Sequence, residues 1–92
     1  MPTEIKYTTR FRKQYAKADK KVKTAFAYAL EVFLENPDEL SLRDHPLRGQ
    51  YSGYRSIDVS SDWRAIYKEA RTKDGITYFF TTLGTHEQLY GK

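Results

Sequence analysis

Near Leu42 the chain changes its hydrophobic period, and that switch limits what it can fold into more than any other feature. Upstream, Val22, Phe26, Ala29 and Phe33 recur at spacings of four, three and four, the stripe of an amphipathic helix. Asp19 stands where an N-cap belongs and Asn36-Pro37 where the helix must end. Before it, Glu4 to Tyr7 alternate weakly as a short strand. Thr8 or Thr9 can then cap a helix carrying Phe11, Tyr15 and Ala18. Downstream, Tyr54 to Val59, Trp63 to Glu69 and Ile76 to Leu83 are rich in β-branched and aromatic residues. Ser60-Ser61-Asp62 and Thr72-Lys73-Asp74-Gly75 separate them as turns, which makes the three segments sequential antiparallel strands. His45 to Gln50 can add a short edge strand.

The order is therefore β-α-α-β-β-β with a C-terminal turn or short helix. The fold class is α+β, with an N-terminal strand and a two-helix hairpin packed on a twisted antiparallel sheet. Ninety-two residues make one domain, 1–92, whose active site must be shallow. Alternation from Tyr54 puts Tyr54, Ser56 and Asp58 on an open face, and Arg55, Ile57 and Val59 against the helices.

Sixteen Lys and Arg against twelve Asp and Glu give a formal charge of +4, which favours polyanionic or acidic-protein partners. The charge is concentrated in the helical hairpin. Arg10, Arg12, Lys13, Lys17, Lys20, Lys21 and Lys23 stand there against a single acid, Asp19. A solvated surface is the bland reading and an RNA-facing patch the sharper one, because phosphate binding needs clustered cations. No cysteine is present, so neither disulfides nor thiolate metal sites contribute. The longest apolar run, Ala25 to Leu30, is too short to span a bilayer, and Met1 to Lys23 lacks the apolar region of a secretion signal.

The only two histidines, His45 and His86, each sit in a polar segment. Between them lie Asp58, Asp62, Arg55 and Arg64. Cleaving RNA without a metal needs a base for the 2′-hydroxyl, an acid for the 5′-oxygen and donors for the charge growing on phosphorus. Histidine, aspartate, arginine and tyrosine cover those roles. Each residue also has a plainer role. Thr85-His86-Glu87-Gln88 fits a capping box, His45 suits an exposed turn and Asp62 suits a hairpin turn. Trp63 and Tyr67 suit strand packing, and Tyr90 can anchor the tail.

Taken in order, Asp44-His45-Pro46-Leu47-Arg48-Gly49, Gly53-Tyr54-Arg55, Asp62-Trp63, Ile66-Tyr67-Lys68 and Gly84-Thr85-His86 to Leu89-Tyr90 resemble the RelE-type toxins of toxin–antitoxin modules, and most their YafQ-like branch. The resemblance implies endonucleolytic cutting of mRNA on the ribosome, a cognate antitoxin, a cytoplasmic setting and no cofactor or metal. It carries catalytic roles onto His45, Asp62, His86 and Tyr90, and a neighbouring functional role onto Trp63. Arg64 falls where other RelE-type toxins have a phosphate-stabilising arginine. Asp58 stands where the YafQ-like pattern has a histidine, and is expected to tune one. Arg48, Arg55 and Trp63 join the hairpin cations as expected RNA contacts. The rival readings are a non-cleaving RNA- or ribosome-binding module and a gyrase-poisoning toxin on the same fold.

Overall fold

A computed structural model describes Thr3–Gly91. Strand β1 (Thr3–Tyr7) leads into helices α1 (Thr9–Lys17) and α2 (Lys20–Glu35), and three consecutive strands follow, β3 (Arg55–Asp58), β4 (Trp63–Thr72) and β5 (Gly75–Thr85). A two-residue strand β2 (His45–Pro46) precedes them and a short helix α3 (His86–Tyr90) closes the chain. Both helix starts follow from local chemistry. Thr8 Oγ1 accepts from the Phe11 amide at 3.1 Å, and Asp19 Oδ1 accepts from the Val22 amide at 3.0 Å, so each cap satisfies an orphan donor of the first turn. Val22, Phe26, Ala29 and Phe33 form the buried stripe of α2. Phe33 is fully buried, with the rings of Tyr67, Tyr78 and Phe80 edge-on to it at 5.0, 4.7 and 5.9 Å. This aromatic contact between helix and sheet is the centre of the core.

The strand order is β1-β5-β4-β3-β2. The sheet was expected to be antiparallel, and β2 through β5 are. β1 joins the free edge of β5 in parallel, Thr3 beside Ile76 through Tyr7 beside Phe80, so the sheet is mixed. A periodicity says which residues face the core but not which edge a first strand will join. Beyond the end of β1, Thr8 Oγ1 donates to the Thr81 carbonyl and Gln14 Oε1 accepts from the Leu83 amide at 2.7 Å, so side chains continue the edge that β1 leaves open.

Three local expectations needed revision. The edge strand expected over 45–50 is assigned only to His45–Pro46, with one further bond from the Leu47 amide to the Tyr54 carbonyl at 2.9 Å, because Gly49 at φ 67 turns the chain into a 3-10 segment, Gly49–Tyr51. The face opposite the helices is not open at its middle, because Ser56, Ile66 and Thr82 are all buried. Tyr51 and Leu89 line one groove together with Thr82. Finally, β5 carries a bulge: Ile66 pairs with Thr82 and Tyr67 with Phe80, leaving Thr81 as an extra residue. Among the described residues no helix is long and apolar enough to cross a membrane.

Candidate active site

His45 and His86 come from distant parts of the chain and line the same cleft, about 500 Å³ in volume. Arg43, Asp44, Asp58, Arg64 and Tyr90 complete its walls. Strand order brings this about. β3 lies between β2 and β4, so Asp58 pairs with Arg64 across one ladder, and Arg64 pairs with Gly84 across the next, two residues before His86.

His45 Nδ1 lies 2.8 Å from the Arg43 carbonyl oxygen. A carbonyl only accepts, so the neutral ring carries its proton on Nδ1 and presents Nε2 as a lone pair. Arg43 achieves this from a left-handed conformation, φ 49 and ψ 42, and is the one non-glycine residue with positive φ among those described. The neighbouring Asp44 is tied down twice. Its Oδ1 accepts from Arg55 Nε at 2.7 Å and its Oδ2 from the Tyr67 hydroxyl at 2.5 Å. Burial first, and then the bond to Asp44, push the Tyr67 phenol well above its usual range, while Arg55's own bond to Asp44 raises the guanidinium. The residue before His45 is thus fastened to the core.

The other histidine is positioned by α3. Thr85 and Gln88 form the capping box expected from sequence, and the His86 amide donates to the Asp62 carbonyl at 2.9 Å. Capping and site membership coexist here, since Thr85 and Gln88 supply the cap while the ring of His86 borders the cleft. That ring stands edge-on to Tyr90 with centroids 4.6 Å apart, and Tyr90 in turn meets Tyr51 at 6.1 Å. The Tyr90 hydroxyl is buried and finds no hydrogen-bond partner among the described residues. Gly84 makes this packing possible, because a Cβ there would lie 3.0 Å from Gln88 Oε1 and 3.2 Å from Leu89 Cδ2.

Asp58 was expected to tune a histidine. It instead faces two guanidinium groups, with Arg64 Nε at 3.1 Å from Oδ1 and Arg43 Nε at 3.6 Å from Oδ2. Arg64 is further held by the carbonyls of Ser60 and Trp63, each at 3.0 Å from Nη1. Asp62 and Trp63 fall elsewhere than expected. The Asp62 side chain is exposed at the turn and outside the cleft lining; its carbonyl, by contrast, fixes His86. Trp63 alternates to the helix side of β4, half-buried against the core, and lines a separate groove of about 460 Å³ with Arg10, Gln14 and Lys17. Arg55, expected to contact RNA, is held by Asp44, whereas Arg48 is exposed.

The hairpin cations divide among several helix faces. Arg10, Lys13 and Lys17 share a stripe of α1 by their spacing, Arg12 lies on the opposite side, and Lys20, Lys21 and Lys23 crowd the first turn of α2. Arg43 also lines the cleft, and nothing in its sequence neighbourhood signals that. For Tyr67 a signal existed: a tyrosine at a core position needs a partner for its hydroxyl.

Residues 3–91 match the family model of the bacterial toxin of type II toxin–antitoxin systems, YafQ. The chain belongs to the YafQ family. It is 34% identical over 92 residues to the mRNA interferase toxin YafQ of Escherichia coli K12, with 96% of each chain covered. The crystal structure of YafQ from E. coli BL21(DE3) superposes with a TM-score of 0.77 at 30% identity, covering 98% of this chain and 100% of that one. YafQ in the E. coli DinJ–YafQ complex gives 0.69 at 29% identity over the same shares. In this member of the YafQ family, the aspartate at position 58 serves two arginines in the cleft.

Proposed function

We propose that this YafQ-family chain is a ribosome-dependent mRNA endoribonuclease, the toxin of a toxin–antitoxin module, which cleaves through attack of the 2′-hydroxyl on the adjacent phosphodiester. The observation that carries the proposal is the shared cleft, in which two imidazoles stand beside guanidinium groups anchored on one carboxylate. The similarity to a protein named mRNA interferase toxin supports the same reading.

In this mechanism His45, with its proton on Nδ1, uses Nε2 to accept the 2′-hydroxyl proton. The freed oxygen attacks phosphorus, and the 5′-oxygen leaves with a proton from His86. Arg64 contributes positive charge beside the developing phosphorane dianion. Asp58 holds Arg64 in place, Tyr90 sets the face of His86, and Asp62 acts through its carbonyl on the His86 amide. The products are a 2′,3′-cyclic phosphate, which can open to a 3′-phosphate, and a 5′-hydroxyl end. No step calls for a metal or an organic cofactor.

The cations of α1 and α2 then serve ribosome and mRNA binding. Lys20, Lys21 and Lys23 sit at the positive end of the α2 dipole, with no acid in that first turn, an arrangement unfavourable for the helix but suited to holding phosphates. A cognate antitoxin is the protein partner, as the DinJ complex of the similar E. coli toxin suggests, and its site of action is the cytoplasm, where ribosomes translate. The test is to incubate purified protein with translating ribosomes and map the mRNA ends. Cleavage with 5′-hydroxyl ends that survives chelation, and is lost in His45→Ala and His86→Ala, is expected. Ends bearing 5′-phosphate, or undiminished cleavage by both variants, would refute it.

A further inference from the structure

Two guanidinium groups meet Asp58, and they are held very differently. Arg64 is caged: Nε faces Asp58, Nη1 donates to the Ser60 and Trp63 carbonyls, Nη2 lies 3.4 Å from the Ser61 carbonyl, and the side chain is 16% exposed. Arg43 has one contact, Nε to Asp58 Oδ2 at 3.6 Å, and its side chain is 77% exposed. Its Nη groups have no hydrogen-bonded protein acceptor among the described residues, and Arg43 is one of the residues lining the cleft of both histidines.

We propose that Arg43 is the residue that grips the RNA phosphate in this cleft, as a two-pronged clamp that leaves Asp58 when substrate enters, while Arg64 remains a fixed charge behind it. The inference rests on the nuclease reading above and reassigns within it the contact that the sequence pattern gives to Arg64. A planar guanidinium binds a phosphate through two parallel N–H···O bonds only if one edge of the fork is free. Arg64 lacks a free edge and Arg43 has one. An ion pair this exposed opens at little cost, so the carboxylate serves as a placeholder that keeps the guanidinium over the cleft before RNA arrives.

The backbone supports the same assignment. The left-handed conformation at Arg43 sends its carbonyl to His45 Nδ1 while its side chain reaches Asp58 across the cleft. Non-glycine residues adopt that conformation seldom, and where they do it often marks a functional constraint. One residue thereby couples the orientation of the proposed base to the position of the phosphate it acts beside.

Because glycine occupies the left-handed region without strain, Arg43→Gly removes the clamp and leaves the carbonyl where it is. Cleavage by purified protein on programmed ribosomes is measured against mRNA concentration and pH, beside the unmutated protein, Arg43→Lys and His86→Ala. For Arg43→Gly, kcat/KM is expected to fall roughly ten- to a hundredfold, the range for one lost bidentate contact, with melting temperature unchanged. Arg43→Lys, a point charge, should recover part of the loss. If Arg43→Gly cleaves within about twofold of the unmutated protein while His86→Ala is inactive, the clamp is wrong and the nuclease reading stands. A lowered melting temperature in Arg43→Gly, matched by the loss of cleavage, would make Arg43 a structural support and overturn the proposal. Absence of ribosome-dependent cleavage by the unmutated protein would defeat the nuclease reading itself.

Discussion

Replacing Tyr67 with phenylalanine isolates one bond in the core and tests how the histidine segment is fastened. The ring, 2% exposed, loses only its hydroxyl, so packing against Phe33 is preserved. What disappears is the donor to Asp44 Oδ2, leaving Asp44 with Arg55 alone. A hydrogen bond to a charged acceptor contributes about 1.5–3 kcal/mol, which for a domain of this size is a fall in melting temperature of roughly 6–20 °C near neutral pH.

The pH dependence of that deficit is the sharper measurement. The folded Tyr67 phenol titrates well above its ordinary value of 10.0, so its contribution is complete below that value and is lost as pH rises toward the folded value. Above about pH 10 the unfolded chain of the unmutated protein ionises at this position and the variant does not, so the stability gap shrinks by about 1.4 kcal/mol per pH unit. Tyr7 and Tyr78, also raised by burial, ionise in both proteins and cancel. Urea titrations followed by circular dichroism, repeated from neutral to alkaline pH, give the gap directly. A deficit under about 0.5 kcal/mol, or one that stays constant past the phenol's ordinary range, would refute the coupling of Tyr67 to Asp44.

The other expectations concern packing and charge. Gly84→Ala forces Gln88 and Leu89 outward and should lower stability by about 1–3 kcal/mol, with cleavage falling further than the stability loss explains, because α3 carries His86; unfolding and cleavage are measured on the same preparation. Phe33→Ala empties the meeting point of α2 and the sheet and should destabilise by about 3–5 kcal/mol, read from denaturant midpoints. Lys20→Glu should raise thermal stability by about 0.3–1 kcal/mol through the α2 dipole and yet weaken ribosome binding, with a salt dependence shallower by about one unit.

Much of this architecture was legible in the residues. The stripe from Val22 to Phe33, the caps at Thr8 and Asp19, and the turns at 60–62 and 72–75 each have a local cause, and each appears in the fold. That His45 and His86 share a cleft depends on strand order, and the catalytic roles that the resemblance gives both residues are consistent with it. What stayed hidden depends on pairings between distant segments. Nothing near Ile5 says that β1 will lie beside β5 in parallel. Nothing near Asp62 says that its carbonyl, and not its carboxylate, will hold His86. The Asp44–Tyr67 bond spans 23 residues and joins a loop to a core strand, and motif reading weighed the two ends separately.

The spare residue in β5 has an evolutionary corollary. Strand residues alternate sides, so gaining or losing one residue anywhere in an unbroken β5 would turn the C-terminal histidine toward the helices. Thr81 is exempt from that parity because it has no ladder pair on β4, where only its hydroxyl donates to the Ile66 carbonyl. A lineage can discard this single position and keep every other ladder pair, whereas a deletion at Tyr78 or Leu83 would have to draw Thr81 into the ladder and would remove a core side chain. Length variation among working relatives in this strand should therefore gather at the bulge.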